Sequence, residues 1–220
     1  MNKAVIIVAG GIGKRMNYAL PKQFIELKGK PILFYTIEQF YTYHPEIKIV
    51  LVLPEPYFVL WKELLTQYSF AISHRLVAGG HTRYHSVKNG LSAIDNVQLI
   101  AIHDGVRPFI TPKFIAQLFD DAQEFGSSVP VVAVSETVRK ITPVENEVLN
   151  RNNIFLVQTP QVFKAEWLKK AYEQPYNESI TDDAMLVQMA NFPLHFSEGL
   201  KYNIKITTPE DLELAEKLMP

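Results

Sequence analysis

Short apolar segments alternate with amphipathic segments through the first half of the chain. Continuous apolar runs, typical of strands buried on both faces, fall at residues 4–8, 47–53, 74–77 and 99–102. Apolar residues spaced three and four positions apart predict helices at residues 32–43, 57–68, 82–93 and 112–124. This alternation of strands and helices predicts an α/β fold with a doubly wound, mostly parallel twisted sheet.

The pattern changes after Gly126. One more apolar strand is predicted at residues 129–134, and two extended polar segments follow at about residues 136–153, around the turn Pro143-Val144-Glu145-Asn146. This stretch has too few large apolar residues to bury itself. We interpret it as a protruding β-arm that packs on a partner subunit, with a plain surface hairpin as the alternative. The rest predicts helices at 164–173 and 181–190, strands at 194–197 and 203–206, and a final helix beginning at Thr208-Pro209. We therefore expect a single domain over residues 1–220 that carries the arm.

The composition excludes several classes of protein. The 220 residues carry a formal net charge of −1, which leaves no broad basic face for nucleic acid. The lack of cysteine excludes disulfides, thiol nucleophiles and cysteine-based metal sites. No apolar run approaches the roughly 20 residues that span a bilayer. The first strand follows the initial residues without a signal-peptide pattern, so we expect a cytoplasmic protein.

The loop after the first strand carries the strongest chemical signal. It has no acidic residue from Ala9 to Gln23, and its glycines and cations are Gly10, Gly11, Gly13, Lys14, Arg15 and Lys22. Glycines let a ligand approach the backbone N–H groups, and these groups with the cations favour a multiply charged anion such as a nucleoside triphosphate. Arg15 stands where a Walker A motif needs Ser or Thr, and Met16 where a dinucleotide fingerprint needs its third glycine. A plain strand-to-helix turn with solvated cations is the alternative.

The end of the strand at residues 99–102 adds a carboxylate and a guanidinium. Asp104 is suited to hold Mg²⁺ against phosphates, and Arg107 is suited to bind a phosphate. The same two residues also fit a structural ion pair. His103 is expected to be a packed strand-end residue and not a base.

A second glycine loop follows the strand at residues 74–77. Gly79 and Gly80 permit close approach of a ligand, and Ser86 is suited to bond a base or a sugar. His81 and His85 have metal-like spacing, but without a third ligand nearby we expect no metal there.

Two further features lie later in the chain. Thr181-Asp182-Asp183 has paired carboxylates, but acids in the first turn of a helix are ordinary, and we favour that interpretation. Lys205 adds another cation. With no Ser-His-Asp or Cys-His arrangement discernible, the chain favours a reaction that needs no protein nucleophile. Nucleotidyl transfer is such a reaction, because the attacking phosphate is already ionised at neutral pH.

Several motifs, spread over nearly the whole chain, together resemble one family. They are Ala9-Gly10-Gly11-Ile12-Gly13-Lys14-Arg15-Met16, Pro21-Lys22-Gln23-Phe24, Arg83-Tyr84-His85-Ser86-Val87, His103-Asp104-x-x-Arg107-Pro108, Gln158-Thr159-Pro160-Gln161 and Asn203-Ile204-Lys205. As an ordered set they resemble the 2-C-methyl-D-erythritol 4-phosphate cytidylyltransferases of the non-mevalonate isoprenoid pathway. The glycine loop alone would indicate only a nucleotidyltransferase.

The resemblance implies a Rossmann-like nucleotidyltransferase fold and a homodimer whose arms reach into the partner's site. It implies CTP and Mg²⁺, with release of pyrophosphate. By position, Arg15 and Lys22 would stabilise the pentacoordinate α-phosphorus, and Lys205 would help to hold the reacting phosphates. The nucleotide would be bound by Ala9, Gly10, Gly11, Gly13, Lys14, Gly80, Ser86 and Asp104, with Asp104 also binding the metal. The sugar-alcohol phosphate would be bound by Arg107 and Thr159, and by Thr137 and Arg151 from the partner's arm.

One departure from the family keeps an alternative open. Many members have Asp directly before Asn-Ile-Lys, whereas this chain has Tyr202. Tyrosine there also resembles the ribitol-5-phosphate cytidylyltransferases, which are the second hypothesis. A non-catalytic dimeric nucleotide-binding protein is the third, although Arg15, Lys22 and Asp104 are all present.

Overall fold

A central sheet organises the chain, and the computed structural model describes residues 2–11 and 20–219. The strands are β1 (Lys3–Val8), β2 (Glu26–Leu27), β3 (Lys30–Pro31), β4 (Lys48–Leu53), β5 (Arg75–Ala78), β6 (Leu99–Asp104), β7 (Ser127–Ala133), β8 (Val138–Ile141), β9 (Asn146–Leu149), β10 (Phe155–Val157), β11 (Gln161–Lys164) and β12 (Phe196–Glu198). The helices are α1 (Ile32–Tyr43), α2 (Phe58–Gln67), α3 (Arg83–Leu91), α4 (Pro112–Phe125), α5 (Ala165–Ala171), α6 (Asp183–Met189) and α7 (Pro209–Leu218). Among the described residues, no helix combines the length and apolarity needed to cross a membrane.

The strand order brings the glycine loops and Asp104 to one edge of the sheet. The order is β10-β7-β11-β6-β1-β4-β5, with β12 also paired to β7. Strands β6, β1, β4 and β5 are parallel, and Val8 of β1 lies opposite both Val52 and Asp104. Leu53 lies opposite Ala78, the last residue of β5. The segments that follow β1, β5 and β6 therefore start side by side, at the carboxyl edge where such sheets bind ligands.

Hydrophobic packing covers both faces of the parallel strands. Val5 and Ile7 of β1 belong to a core cluster with α1, α2 and α4, whereas Ala4 and Ile6 belong to a second cluster with α3, α5 and α6. All four of these side chains are fully buried. Burial on both faces explains why the strands are continuous apolar runs in the sequence.

The predicted α/β fold is confirmed. In the first half, the short strands β2 and β3 were not predicted, and the larger errors lie in the second half. The predicted strand at residues 203–206 is wrong: this segment is a loop, anchored where Ile206 N–H donates to the Val106 carbonyl at 3.0 Å. The predicted strand at 194–197 is displaced to β12 (Phe196–Glu198). Strands β10 and β11 were not anticipated, because they are short and antiparallel and depend on pairing with β7 and β6.

Strands β8 and β9 form a separate two-stranded sheet in the predicted arm region. They pair antiparallel from Val138↔Leu149 to Ile141↔Asn146, and the Thr142 and Glu145 backbones close the turn between them. Nearly every residue from 136 to 153 is exposed. The hairpin therefore has no core of its own.

Candidate active site

A cavity of about 740 Å³ opens at the carboxyl edge of the parallel strands. Its lining comes from the ends of β1, β4, β5 and β6, from the start of α3 and from the loop before α7. The lining residues include Ala9, Gly10, Gly11, Lys22, Gly79, Gly80, Arg83, Ser86, Asp104 and Lys205. Most of the predicted nucleotide-binding residues that the structure describes are thus gathered in one space.

The loop after β5 is shaped around Ser86. The Ser86 hydroxyl accepts a hydrogen bond from Gly80 N–H at 3.1 Å and donates one to the Thr82 carbonyl at 2.9 Å. A Cβ at Gly80 would lie 2.4 Å from the His85 Cβ, so only glycine fits there. A Cβ at Gly10 would lie 3.5 Å from the Ser86 hydroxyl, which means that the two glycine loops face each other closely. Both glycine loops line the same cavity.

Lys22 is brought to the cavity by its neighbour Gln23. Residues Lys22–Phe24 form a 3₁₀ turn, and the buried Gln23 side chain donates to the Ala9 carbonyl at 2.7 Å. This bond ties the Pro-Lys-Gln segment to the end of β1. The predicted contacts of Gly13, Lys14 and Arg15 lie outside the described residues.

Asp104 is the electrostatic centre of the cavity. Its Oδ2 lies 2.9 Å from Lys205 Nζ and 3.3 Å from Arg107 Nε, and its Oδ1 lies 3.6 Å from Arg83 Nε. Burial alone would raise the pKa of Asp104, but the surrounding cations outweigh it and hold the pKa well below its usual range. Asp104 is therefore ionised at neutral pH.

Lys205 reaches Asp104 although its segment is not a strand. The fully buried Asn203 donates from Nδ2 to the Thr159 carbonyl at 2.8 Å. Gln158 bonds both the carbonyl and the N–H of Leu200, at 2.8 and 3.1 Å. Side-chain amides thus hold a loop that has few backbone partners.

The structure places Thr159 behind Asp104. The buried Thr159 hydroxyl accepts from Asp104 N–H at 3.1 Å and pairs with His103 Nδ1 at 3.0 Å. Neither Thr159 nor Arg107 is part of the cavity lining, and Arg107 also donates to the Asn203 carbonyl at 2.8 Å. Their predicted contacts with the sugar-alcohol phosphate stay predictions.

The two predicted arm residues lie away from the cavity of their own subunit. Thr137 and Arg151 are exposed at the base of the hairpin, where Arg151 donates to the Ser135 carbonyl at 2.6 Å. Tyr202 is also exposed and lies outside the cavity lining.

Sequence reasoning missed a buried ion pair next to the cavity. Arg83 Nη2 lies 2.7 Å from Asp183 Oδ2, and Tyr172 donates to Asp183 Oδ1 at 2.5 Å. Asp182 is the ordinary N-cap of α6, as expected, but Asp183 is fully buried. A usable signal was present, since Asp183 shares α6 with the apolar Ala184, Leu186 and Val187, and a charged residue among buried neighbours requires a partner.

Glycine loops and cations that converge on one ionised aspartate, at the carboxyl edge of a mostly parallel sheet, define an α/β nucleotidyltransferase. The family model described as 2-C-methyl-D-erythritol 4-phosphate cytidylyltransferase matches residues 3–220, and the chain belongs to this family. The resemblance drawn from the motifs is confirmed.

Individual relatives match the chain over its full length. The chain is 46% identical over 219 residues to the 2-C-methyl-D-erythritol 4-phosphate cytidylyltransferase of Bacteroides fragilis, and 47% identical to that of Phocaeicola vulgatus, with 100% of each chain covered. Among solved structures, the 4-diphosphocytidyl-2C-methyl-D-erythritol synthase of Anaerococcus prevotii is similar with a TM-score of 0.84 and 28% identity, covering 99% of this chain and 95% of that one.

Proposed function

We propose that the protein transfers the cytidylyl group of CTP to 2-C-methyl-D-erythritol 4-phosphate and releases pyrophosphate. The observation that carries the proposal is the cavity itself, in which Arg83 and Lys205 lie beside the ionised Asp104. Lys22 and two glycine loops line the same space. Membership of the family supplies the identity of the two substrates. Because CTP is a cytoplasmic metabolite, we assign the activity to the cytoplasm.

The nucleoside end of CTP is proposed to bind between the glycine loops. Gly10, Gly11 and Gly80 line the cavity without side chains, so a flat base can approach their backbone, and the Ser86 hydroxyl lines the same cavity. The triphosphate then extends toward Lys22 and Lys205. This direction matches the position of the cations, because Lys205 lies beside Asp104 and Lys22 lines the same space.

The chemistry requires alignment and charge neutralisation. The phosphate of the acceptor attacks the α-phosphorus of CTP, a bond to the α-phosphorus forms, and the bond to the pyrophosphate leaving group breaks. Lys22, Lys205 and, by its position in the motif, Arg15 would stabilise the charge on the oxygens of the pentacoordinate phosphorus. No protein base is needed, because the attacking oxygen is already ionised.

Mg²⁺ is proposed as the cofactor, held by Asp104. Mg²⁺ is usually bound by one or two carboxylates together with substrate phosphates, and Asp104 is an ionised carboxylate on the cavity wall. Its Oδ1 has only the 3.6 Å contact with Arg83 among the ion pairs of the described residues, so this oxygen fits a metal ligand. When bound, the ion would neutralise phosphate charge and orient the α-phosphate.

The acceptor phosphate is proposed to bind in a site completed by a second subunit. Thr137 and Arg151 are exposed on the hairpin and are not part of their own cavity lining, which is the arrangement expected of residues that act in the partner. Arg107 and Thr159 would complete the site from the subunit that holds CTP. The exposed apolar side chains Ile141, Val144 and Val148 of the hairpin support burial against a second copy.

The test is a direct comparison of two acceptors. Purified protein with CTP and Mg²⁺ is expected to release pyrophosphate with 2-C-methyl-D-erythritol 4-phosphate and far more slowly with ribitol 5-phosphate, as measured by a coupled pyrophosphate assay. The opposite preference would support the ribitol hypothesis suggested by Tyr202. Turnover with neither acceptor, despite CTP binding, would support a non-catalytic nucleotide-binding protein.

A further inference from the structure

Arg83 lies between two carboxylates that belong to different parts of the fold. Its Nη2 is 2.7 Å from Asp183 Oδ2 on α6, and its Nε is 3.6 Å from Asp104 Oδ1 at the end of β6. The shorter distance is that of a charge-assisted hydrogen bond, and the longer one is not. Arg83 is therefore bound to Asp183 and only adjacent to Asp104.

The two oxygens of Asp104 have different surroundings. Oδ2 lies 2.9 Å from Lys205 Nζ and 3.3 Å from Arg107 Nε, whereas Oδ1 lies 3.6 Å from Arg83 Nε. A guanidinium prefers to meet a carboxylate with two parallel hydrogen bonds. Without another anion to hold it, Arg83 would be expected to close on Oδ1.

Asp183 is the second anion that holds Arg83. Its side chain is fully buried, and Tyr172 donates to Oδ1 at 2.5 Å while Arg83 occupies Oδ2. Burial and the charge of Asp183 raise the pKa of Tyr172, so its hydroxyl remains a donor. Burial opposes the charge on Arg83, but Asp183 and Asp104 outweigh it and hold the pKa of Arg83 above its usual value.

We propose that Asp183 is a positioning residue that holds the Arg83 guanidinium back from Asp104 Oδ1 and so keeps this oxygen available to a divalent cation. The proposal rests on the proposed role of Asp104 in binding Mg²⁺. Asp183 does not touch the substrates. It acts through Arg83 and offsets the charge of one of the cations that face Asp104.

The test compares CTP affinity with and without a divalent cation in the Asp183→Asn variant. Calorimetry with CTP plus Mg²⁺, and with CTP plus EDTA, gives the gain in affinity that the metal provides. This gain is expected to fall roughly tenfold, as for other residues that orient a metal ligand. CTP affinity in EDTA should be unchanged or higher, because the loss of a negative charge leaves the cavity more cationic.

Asp182→Asn is the matched control. It removes the same charge from the neighbouring position, and asparagine caps a helix as well as aspartate does. Neither affinity is expected to change in this variant. A purely structural role of Asp183 predicts a different result, in which CTP affinity falls equally with Mg²⁺ and with EDTA, and that result would overturn the proposal.

A crystal structure of metal-free Asp183→Asn protein gives a readout that is independent of turnover. Arg83 is expected to move to within about 2.9 Å of Asp104 Oδ1. An Arg83 that keeps its present position would overturn the proposal even if the enzyme is active. An inactive wild-type enzyme with the expected Arg83 movement would instead contradict the proposed function alone.

If the Asp183→Asn protein is not soluble, the Tyr172→Phe variant tests the proposal in its place. The ring still stacks on Tyr84, with centroids 5.0 Å apart in the present structure, but Asp183 loses the hydroxyl that donates to its Oδ1. We expect a smaller decrease in the Mg²⁺-dependent gain, in the same direction. An unchanged gain would overturn the proposal.

Discussion

His103 is a buried histidine whose two ring nitrogens are both used in the structure. Nε2 lies 3.1 Å from the Arg107 carbonyl and must carry the proton, and Nδ1 lies 3.0 Å from the Thr159 hydroxyl and accepts from it. Because Thr159 donates to His103, its oxygen is able to accept from Asp104 N–H. Neutral His103 thus fixes the backbone that presents Asp104 and Arg107, in agreement with its prediction as a packed residue.

The neutral state of His103 predicts a loss of stability in mild acid. Burial lowers the pKa of His103 from 6.5 to about 3. Between these values the unfolded chain binds one proton more than the folded chain, so the free energy of unfolding rises with pH and reaches its full value above pH 6.5. The contribution of this one group has a slope of at most about 1.4 kcal/mol per pH unit.

Urea unfolding at pH 7.5 and pH 5.0 measures this dependence. His103→Gln protein is expected to be less stable at pH 7.5, but to lose less stability on acidification than the wild type. The exposed His44 provides the control, and His44→Gln should keep the wild-type dependence. Equal losses in wild-type and His103→Gln protein would show that His103 is not the group responsible.

At the residue scale, the sequence indicates which side chains belong to the site better than it indicates which side chains pair with each other. Asp104 was found because it follows a predicted strand, and Lys22 because it belongs to the cationic glycine loop. Lys205 was found as one more cation, on a predicted strand, and the structure brings all three to one cavity. The Arg83–Asp183 pair was not found, because its members are 100 positions apart and only the tertiary fold makes them neighbours. Local patterns carry no information on such pairs.

The segment around Lys205 illustrates the same limit at the scale of an element. Its apolar pattern predicted a strand, yet the chain forms a loop whose backbone is held by the amides of Gln158 and Asn203. The helices were predicted well because their signals are local in sequence. Strands β10 and β11 were not, since they bend around Thr159-Pro160 and need β7 to pair with.

Asn203 is predicted to act through Lys205. Asn203→Ala removes the bond to the Thr159 carbonyl and should destabilise the protein by about 1–3 kcal/mol, as expected for a buried carbonyl left without its donor. It should also lower kcat/KM for cytidylyl transfer, because Lys205 is no longer held at 2.9 Å from Asp104. Steady-state kinetics of the two single variants and of the double variant with Lys205→Ala measure the coupling.

The double variant shows whether Asn203 acts through Lys205 or by another route. If Asn203 acts by positioning Lys205, its loss should cost little once Lys205 is already alanine, so the effects on kcat/KM are far from additive. Multiplicative effects on kcat/KM would indicate that Asn203 supports the site by another route. Thermal unfolding of each variant shows whether enough folded protein is present for the comparison.

The whole molecule carries apolar surface that a second subunit would cover. Val144 at the hairpin turn is 96% exposed, and Ile141 is 72% exposed. Phe155, Leu156 and Val157 of the neighbouring β10 are also exposed. The sequence predicted the hairpin because polar extended segments flank a turn. It could not supply the position of the partner, because no contact with another chain is encoded in local periodicity.

Complementation between two inactive variants tests whether sites are shared across subunits. Lys22→Ala should disable the cavity of its own subunit, whereas Arg151→Ala should disable the cavity of its partner. In a mixed dimer, one cavity then has both wild-type residues and the other has neither. Random mixing makes half of the dimers mixed, so refolding an equimolar mixture should recover about one quarter of the wild-type rate.

A second mixture is the control, because it combines two variants that each damage the cavity of their own subunit. Lys22 and Lys205 line the same cavity of one subunit, so dimers of Lys22→Ala with Lys205→Ala always have one damaged residue in each cavity and should recover nothing. If the Arg151→Ala mixture also stays inactive while mixed dimers are shown to form, Arg151 serves its own subunit. In that case, Arg151 does not contribute to the acceptor site of the partner subunit.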